Sequence, residues 1–435
     1  MRRAVVIAAV SAVLITVVAA GAAVAGIAHS AVVTENPVDT TPHVLPLPGP
    51  QEASKSSKAT VLALAVVGDK VVVGGRFAEV SQQRGGPAVR RANLFAYNRL
   101  TGQIDSGFAP DVAGEVSALE AGEDGTVYVG GRFRTVNGVA QRGLTRLRLA
   151  DGSRVDTFAG TAVQGDVAQL VRRGAWLYVG GNFTGVNGRA RTAVARLDAA
   201  TGAVDDGFNP VLSGPRSGGR LSVVGMAIDP AGAKLVIDGN FSDVNGQART
   251  QIAIFDISTS AVLLSGWSTN RFAPACPSGA DTYLRDVDFA PDGSYFVVVT
   301  TGGPHDTAND TLCDSASRWD PAAPAGDQQP GWVNWTGGDT LWSVSVTGAA
   351  VYVGGHQRWM DNPDGQDAPG PGAVERPGIA ALDPATGRAL AWNPTRTRGV
   401  GAEILLATTD GLIVGSDTDE LGHEYHGRLG MFPLP

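Results

Sequence analysis

Leu177-Tyr-Val-Gly-Gly-Asn-Phe183 is one copy of a phrase that recurs along the 435-residue chain. Other copies stand at Val71–Phe77, Val127–Phe133, Val236–Phe241, Val351–His356 and Leu412–Ser416. The second-glycine position falls at 75, 131, 181, 239, 355 and 416, which gives spacings of 56, 50, 58, 116 and 61. Because 116 is two periods of 58, a degenerate copy is expected between them, and Ala290–Val299 supplies a turn followed by an apolar run. The pattern therefore predicts seven repeat units, called units 1 to 7 below.

Each unit reads as four short β-strands. An apolar first strand such as Val61–Val67 precedes a turn rich in Gly or Asp, and the recurrent phrase forms the second strand. A variable loop leads to a third strand such as Val194–Asp198, and a fourth strand carries an aromatic residue. These aromatic residues are Phe108, Phe158, Phe208, Trp267, Trp332 (or Trp335) and Trp392. The pattern predicts an all-β chain whose residues 59–435 form a single seven-bladed β-propeller of four-stranded blades, with the aromatic side chains packed between blades.

Two details of the repeat carry structural expectations. The glycine pair in the second strand marks a place where a side chain would obstruct the approach of another backbone. The seventh unit stops at Pro435 without a fourth strand or an aromatic residue. Since an open ring would leave a strand edge exposed, we expect an N-terminal segment within His43–Leu47 to supply the missing outer strand.

The repeat resembles the bacterial delta-60 repeat family, also described as a domain-of-unknown-function β-propeller repeat. Unit 3 carries the resemblance most fully, through Val179-Gly-Gly-Asn-Phe-Thr-Gly-Val-Asn-Gly188, Arg191, Val194-Ala-Arg-Leu-Asp198, Thr201-Gly202 and Phe208-Asn-Pro210. The match is strong in units 2 to 4, partial in units 1 and 6 and weak in units 5 and 7. The resemblance implies an exported or surface-displayed propeller and brings no established catalytic residues.

The N-terminus predicts that the chain leaves the cytoplasm. Arg2 and Arg3 precede an apolar run over residues 4–28, so residues 1–28 read either as a cleaved signal peptide or as an uncleaved membrane anchor. Residues 29–58, rich in Pro, Ser and Thr, read as an extended linker. The protein is expected to be secreted or held at the cell membrane by this segment.

Cys276 and Cys313 are the only cysteines in the sequence. In an exported chain an even pair most simply forms one disulfide, and the alternative is two buried free thiols. Two cysteines alone do not supply the four ligands of a structural zinc site.

The formal net charge of −8 argues against a nucleic-acid partner, which requires a basic surface. Charged residues make up 17% of the chain and hydrophobic residues 43%, so the composition supports a sizeable core. The predicted closed ring needs no second copy, and we expect a monomer.

The loops between second and third strands should emerge on one face of the ring. They are short and nearly identical in units 2 to 4, where each contains Val-Asn-Gly, a triplet typical of turns with left-handed backbone geometry. In units 5, 6, 7 and 1 they are longer and individual, at 302–316, 356–377, 416–427 and 78–91. Insertions on one face of contiguous blades indicate a binding surface. The residues predicted to contact a ligand there are Arg76, Arg132, Asn182, Asn240, His305, His356, Asp417, His423 and His426.

Two of these loops could offer ligands to a divalent metal, although no cofactor is required by the pattern. His423 and His426 lie in an acidic stretch, but the spacing is not that of a His-Glu-x-x-His zinc helix. Asp361, Asp364 and Asp367 have some of the character of a calcium loop, but their order is not that of an EF-hand. Asp286 and Asp288, on a first strand, are expected to face the channel in a hydrogen-bonded structural role.

These observations favour a non-enzymatic binding module whose partner is an extracellular protein, peptide or glycan. One alternative is an exported hydrolase or lyase with a metal-assisted site at the channel mouth, built from His356, Asp417, His423 or His426. A structural protein of the cell envelope is a further alternative. No Ser-His-Asp order, phosphate loop or cofactor fingerprint is present in the sequence.

Overall fold

The computed structural model describes residues 26–54 and 57–435. The predicted signal or anchor therefore lies almost wholly outside the described residues. Within the described ranges, no helix combines the length and the apolar character needed to cross a membrane. One short helix, α1 (Pro50–Ala53), and two single 3₁₀ turns at Asp156–Phe158 and Arg216–Gly218 accompany the strands.

The strands follow the repeat. Before and within unit 1 they are β1 (His43–Val44), β2 (Thr60–Val67), β3 (Lys70–Arg76), β4 (Glu79–Ser81), β5 (Ala88–Arg90) and β6 (Leu94–Asn98). Units 2 and 3 contain β7 (Val112–Ala121), β8 (Thr126–Val136), β9 (Val139–Ala140), β10 (Leu144–Arg148), β11 (Val163–Arg173), β12 (Trp176–Val186), β13 (Arg189–Ala190) and β14 (Val194–Asp198). Unit 4, with the segments on either side of it, contains β15 (Leu212–Ser213), β16 (Ser222–Ile228), β17 (Lys234–Asn240), β18 (Asp243–Val244), β19 (Gln247–Ala248), β20 (Ile252–Asp256), β21 (Leu263–Leu264) and β22 (Trp267–Ser268).

The remaining units continue the same order. Unit 5 contains β23 (Leu284–Phe289), β24 (Phe296–Thr300), β25 (Ser315–Trp319), β26 (Gly326–Asp327) and β27 (Trp332–Trp335). Units 6 and 7 contain β28 (Leu341–Val346), β29 (Val351–Gly355), β30 (Trp359–Met360), β31 (Val374–Glu375), β32 (Ile379–Leu382), β33 (Ala402–Thr408), β34 (Gly411–Ser416), β35 (Glu420–Leu421), β36 (Glu424–Tyr425) and β37 (Leu429–Pro433).

Each unit folds into one antiparallel sheet in which the second strand lies between the first and the third. The predicted fourth strand is largely absent as a strand. In units 1, 2, 3 and 6 a single β-bridge stands in its place, whereas unit 5 has the four-residue strand β27. The reason is visible in unit 1, where Asp105 Oδ1 accepts the N–H groups of Gly107 and Phe108 and turns the chain. The Phe108 ring is nevertheless fully buried, and it packs between two sheets as predicted.

Apolar clusters join the sheets in sequence. The cluster that contains Phe108 combines Ala63 and Val72 of unit 1 with Val116 and Val129 of unit 2. Equivalent clusters link every following pair of units, and a further one packs Ile413 and Leu429 of unit 7 against unit 1. The first strand of each unit also contacts the first strand of the next, and β33 contacts β2. The first strands therefore surround a channel.

The glycine pair performs the predicted role at two different contacts. A Cβ on the first glycine, Gly130, would lie 2.6 Å from Cγ1 of Val167 in the next unit. A Cβ on the second, Gly131, would lie 2.2 Å from the carbonyl oxygen of Glu115 in its own sheet. The first glycine thus sets the spacing between sheets, and the second sets the spacing within one.

The N-terminal segment reaches unit 7, but not through the residues predicted. His43–Val44 pairs with β4 in the loop of unit 1, so the assignment of His43–Leu47 as an outer strand of unit 7 is wrong. Residues further upstream lie along the free edge of β37, where the N–H groups of Thr34 and Val38 donate to the carbonyls of Pro433 and Met431. Pro37, between them, has no N–H to donate, which prevents a regular ladder.

Residues 29–47, predicted as part of a linker, are packed against the sheets. Trp392 donates its indole N–H to the carbonyl of Thr34 at 2.9 Å, and Val33 and Val44 are buried. The segment first covers the edge of unit 7, and the N–H of Val44 still donates to the carbonyl of Gly427 in that unit. It then crosses to unit 1, where the N–H of Leu45 donates to the carbonyl of Glu79.

We predict that replacing Gly131 by Ala destabilises the fold by about 1–3 kcal/mol, because the added methyl group would push the first and second strands apart. Urea denaturation measures the effect. Gly160→Ala is the matched control, since a Cβ there meets nothing within 4 Å. Equal stability of the two variants would contradict the role assigned to the pair.

A chain that starts at Thr41 should unfold at a midpoint several degrees lower than one that starts at Ala28, because it exposes the edge of β37. Differential scanning calorimetry of both chains tests this. The two midpoints would coincide if the segment before Thr41 contributed nothing to closure.

Candidate functional site

Two of the residues predicted to contact a ligand, Arg76 and Arg132, form ion pairs between neighbouring sheets. Arg76 of unit 1 pairs with Glu115 at the first strand of unit 2, with 2.8 Å between Nη1 and Oε2. Arg132 of unit 2 pairs in the same way with Asp166 of unit 3, at 2.9 Å between Nε and Oδ2. The position after the glycine pair is therefore used for contacts between units at these two places.

Asp417 is deeply buried, at 1% exposure. Its carboxylate pairs with Lys58 at 2.9 Å and with the buried Arg396 at 3.1 Å, and it accepts the N–H groups of Val400 and Gly401. Burial raises the pKa of Asp417, but these N–H groups and cations outweigh burial and hold its pKa at about 2. Contacts within the protein therefore use both the charge and the hydrogen-bond acceptors of the Asp417 carboxylate.

The two asparagines differ. Asn240 is buried, accepts the N–H of Arg216 at 2.7 Å and donates to the carbonyl of Arg220 at 3.0 Å, so it fixes the chain ahead of β16. Asn182 is exposed on the same face.

The four histidines occupy separate environments. His356 is half-buried with Nδ1 2.8 Å from the carbonyl of Val400, and burial lowers its pKa. His305 is stacked on Trp335, with 4.5 Å between ring centroids. His423 is exposed with a φ of 64°, and burial lowers the pKa of His426, which lies 3.7 Å from Glu424. Among the described residues, no three His, Cys, Asp or Glu side chains are placed to share one metal ion.

Hydrogen bonds of the Asn362 side-chain amide hold the loop that contains Asp361, Asp364 and Asp367. Asn362 is fully buried, donates to the carbonyls of Thr336 and Ala368, and accepts the N–H of Gly370 at 2.7 Å. Asp361 faces away, toward Asn334. Asp364 and Asp367 are exposed. The side chain of Asn362 thus occupies the centre of this loop.

Cys276 and Cys313 form the predicted disulfide, which joins the segment before unit 5 to the loop that carries His305. The Val-Asn-Gly triplets also take the predicted turn geometry. Asn137 and Gly138, for example, have φ values of 51° and 73°. The short hairpins of units 2 to 4 are therefore set by local backbone chemistry.

A channel site emerges from a feature that the repeat alone does not reveal. Each first strand contains a β-bulge at an equivalent position, where one residue is skipped in the pairing with the second strand, and β7 and β11 each have a second irregularity nearer their start. The skipped residues are Leu62, Ser117, Ala168, Val224, Arg285, Trp342 and Glu403. All seven line one channel cavity of about 130 Å³. Bulges redirect side chains, and here they point a ring of side chains toward one space.

Units 5 to 7 contribute the charged and aromatic members of this ring, which are Arg285, Trp342 and Glu403. The guanidinium of Arg285 lies 5.1 Å from the centre of the Trp342 ring, and the indole N–H of Trp342 donates to the carbonyl of Val400. Burial lowers the pKa of Arg285 and, together with the nearby charge of Asp417, raises the pKa of Glu403 to about 7.

Asp286 and Asp288 line the channel next to this ring, as expected. Asp286 accepts the N–H of Val344 and Asp288 that of Val346, so both bridge units 5 and 6. Burial raises the pKa of each to about 7. Asp238, where other units have the first glycine, is fully buried; burial and the charge of Asp286 raise its pKa to about 8.

Sequence reasoning missed Arg285, Trp342 and Glu403. The available signal was alignment of the first strands, which places these three large or charged residues where units 1 to 4 have Leu62, Ser117, Ala168 and Val224. The bulge that turns this position toward the channel is a property of strand pairing and is not visible in the repeat.

The sheets, their inter-sheet packing and the channel define an all-β protein of the β-propeller class. Residues 123–156 and 176–208 match the family model described as "Domain of unknown function (DUF5122) beta-propeller". This match confirms the resemblance to a β-propeller repeat family of unknown function. A search of curated proteins finds no match.

One solved structure supports the fold. The WD40 repeats of RRP9 are 12% identical, with a TM-score of 0.51, covering 90% of this chain and 98% of that one. U3-55K is 12% identical with a TM-score of 0.49, covering 92% and 100%, and the computationally designed Ika8 protein is 13% identical with a TM-score of 0.45, covering 90% and 99%. At this identity the similarity to the RRP9 repeats shows the fold alone.

We predict that Asp417→Asn destabilises the protein by about 3–5 kcal/mol at neutral pH, because it leaves Arg396 buried without a counter-charge. Since the folded-state pKa of Asp417 is depressed to about 2, its contribution is present above the ordinary carboxyl pKa and is lost as the pH falls toward 2. Urea denaturation of both proteins between neutral and acidic pH measures the difference. Asp364→Asn, at an exposed site, is the control, and a gap that does not narrow in acid would contradict this account.

Proposed function

We propose that this propeller is an interaction module that binds a partner through the face bearing the loops between second and third strands. The loops of units 5, 6, 7 and 1 are long and individual, whereas those of units 2 to 4 are near-identical hairpins. A scaffold that varies its loops in one sector recognises through that sector.

The proposal depends on the distribution of exposed charge over that face, because this distribution determines which kind of partner can bind there. The loops of units 5, 6 and 7 contain no exposed Lys or Arg, the loop of unit 1 exposes Glu79 together with Arg84 and Arg90, and the hairpins of units 2 and 3 expose arginines and no acid. The acidic sector is therefore that of units 5 to 7. The exposed acids are Asp310, Asp364, Asp367, Glu375, Glu420 and Glu424. The exposed arginines are Arg132, Arg134, Arg142 and Arg189. A protein or peptide segment with a basic surface fits the acidic sector and is repelled by the other.

We further propose that the seven units close into one seven-bladed ring. The clusters that join each sheet to the next, and unit 7 to unit 1, support this arrangement. The N-terminal segment supports it too, because it contacts the edge of unit 7 before it crosses to unit 1.

Export through residues 1–28 remains part of the proposal. The Cys276–Cys313 disulfide suits an oxidising compartment. Gly26 and Ile27 line the channel section that opens beside the turns between first and second strands, on the face opposite the loops. An anchor preceding Gly26 would therefore leave the acidic loop face pointing away from the membrane.

The test is fluorescence polarisation with a labelled octa-arginine peptide as the probe. We expect saturable binding that weakens as salt is added. A variant carrying Asp364→Asn, Asp367→Asn and Glu375→Gln should bind about tenfold more weakly, because it loses three charges of the acidic sector.

A variant with Asp69→Asn, Glu123→Gln and Asp124→Asn is the matched control, since it removes three exposed acids from the opposite face. If both variants bind the peptide equally, or if the unmodified protein does not bind it, the proposed recognition is refuted.

A further inference from the structure

The channel cavity lined by the bulge residues contains two opposite charges, Arg285 and Glu403, which attract each other electrostatically although no hydrogen bond joins them among the described residues, and Asp286 lines the same cavity. Arg285 donates from Nη1 to the carbonyls of Thr282 and Leu284, but its Nε is buried without a partner and its Nη2 bonds to no described residue. Glu403 lines the same cavity and, within the described part of the chain, takes part in no hydrogen bond or ion pair. Partly buried charges of this kind are costly unless something neutralises them.

The geometry of Arg285 is set before any ligand arrives. Its guanidinium lies over the ring of Trp342, and that ring is itself fixed by the 2.7 Å hydrogen bond from its N–H to the carbonyl of Val400. Such stacking orients a guanidinium without neutralising its charge. The remaining donor capacity of Arg285 is available to an anion.

A wider compartment adjoins the two charges, and it is lined mostly by aliphatic residues together with Glu120, Asp286 and Asp288. The channel widens below the bulge ring into a section of about 330 Å³, and the two sections share Leu64, Leu119 and Ile404. Met226 and Leu405 extend the apolar wall of the wider section. A ligand held by the charges would thus face aliphatic side chains.

We propose that the channel binds a free α-amino acid with an aliphatic side chain. Its carboxylate would accept from Arg285, its ammonium group would pair with Glu403, and its side chain would lie against the aliphatic residues of the wider section. A zwitterion satisfies both charges at once, whereas an anion or a cation satisfies only one. The site is separate from the acidic loops, so its occupancy does not depend on the proposed partner.

Calorimetric titration of the folded protein with L-leucine tests the proposal. At about pH 8, where Glu403 is ionised, L-leucine should bind, whereas 4-methylpentanoate and 3-methylbutylamine, which each lack one charge, should bind at least about tenfold more weakly. Affinity for leucine should fall as the pH drops through about 7, because Glu403 becomes protonated there. Asp286 lines the same cavity and also has a pKa of about 7, so the Glu403→Gln variant must lose most of this pH dependence if Glu403 is responsible for it. Absence of leucine binding at concentrations near 10 mM, roughly the weakest range titration can detect, would overturn the proposal.

Variants localise the binding. Arg285→Gln and Glu403→Gln should each weaken leucine binding by at least about tenfold, whereas Arg132→Gln, on the exposed rim, should not change it. Near-UV circular dichroism checks that each variant keeps its packing. If Arg285→Gln does not fold, the nearly isosteric Glu403→Gln and the two analogues decide the question. Unchanged binding in Glu403→Gln would refute the site, and the octa-arginine assay is unaffected by either result.

Discussion

The approach of neighbouring sheets at the first glycine of each pair sets the distances on which the rest of the molecule depends. A methyl group on Gly74, Gly130 or Gly180 would collide with a side chain of the following unit. Because this contact recurs, each sheet takes a similar distance from the next, and the first strands come together around a channel. Where Asp238 replaces the glycine, a carboxyl group lies buried between units 4 and 5, beside the channel.

The bulges convert this regular scaffold into an asymmetric site. All seven first strands skip one residue at the same place, so the backbone treats the units alike. The side chains do not follow that symmetry, because units 5 to 7 place Arg285, Trp342 and Glu403 where the other units have small or apolar residues. The same units carry the long acidic loops, and both departures from the repeat therefore fall in one sector.

Several polar residues that look functional in the sequence serve the scaffold. Arg76 holds two units together, Asp417 neutralises the buried Arg396, and Asn240 fixes the chain ahead of β16. Each has its hydrogen-bonding capacity largely used, which leaves little for a ligand. Arg285 and Glu403 differ because they line a cavity, and among the described residues Glu403 makes no hydrogen bond while Nη2 of Arg285 has no acceptor.

The sequence by itself determined the repeat units, the second and third strands, the left-handed Asn137-Gly138 turn and the Cys276–Cys313 disulfide. These follow from local backbone preferences and from a pattern that recurs at short range. Tertiary structure alone decided that the fourth strand shrinks to a bridge in units 1, 2, 3 and 6, that Thr34 and Val38 cover the edge of unit 7, and that the bulge residues meet in one cavity. Such features depend on pairing between distant segments, and no single unit contains the information that brings them together.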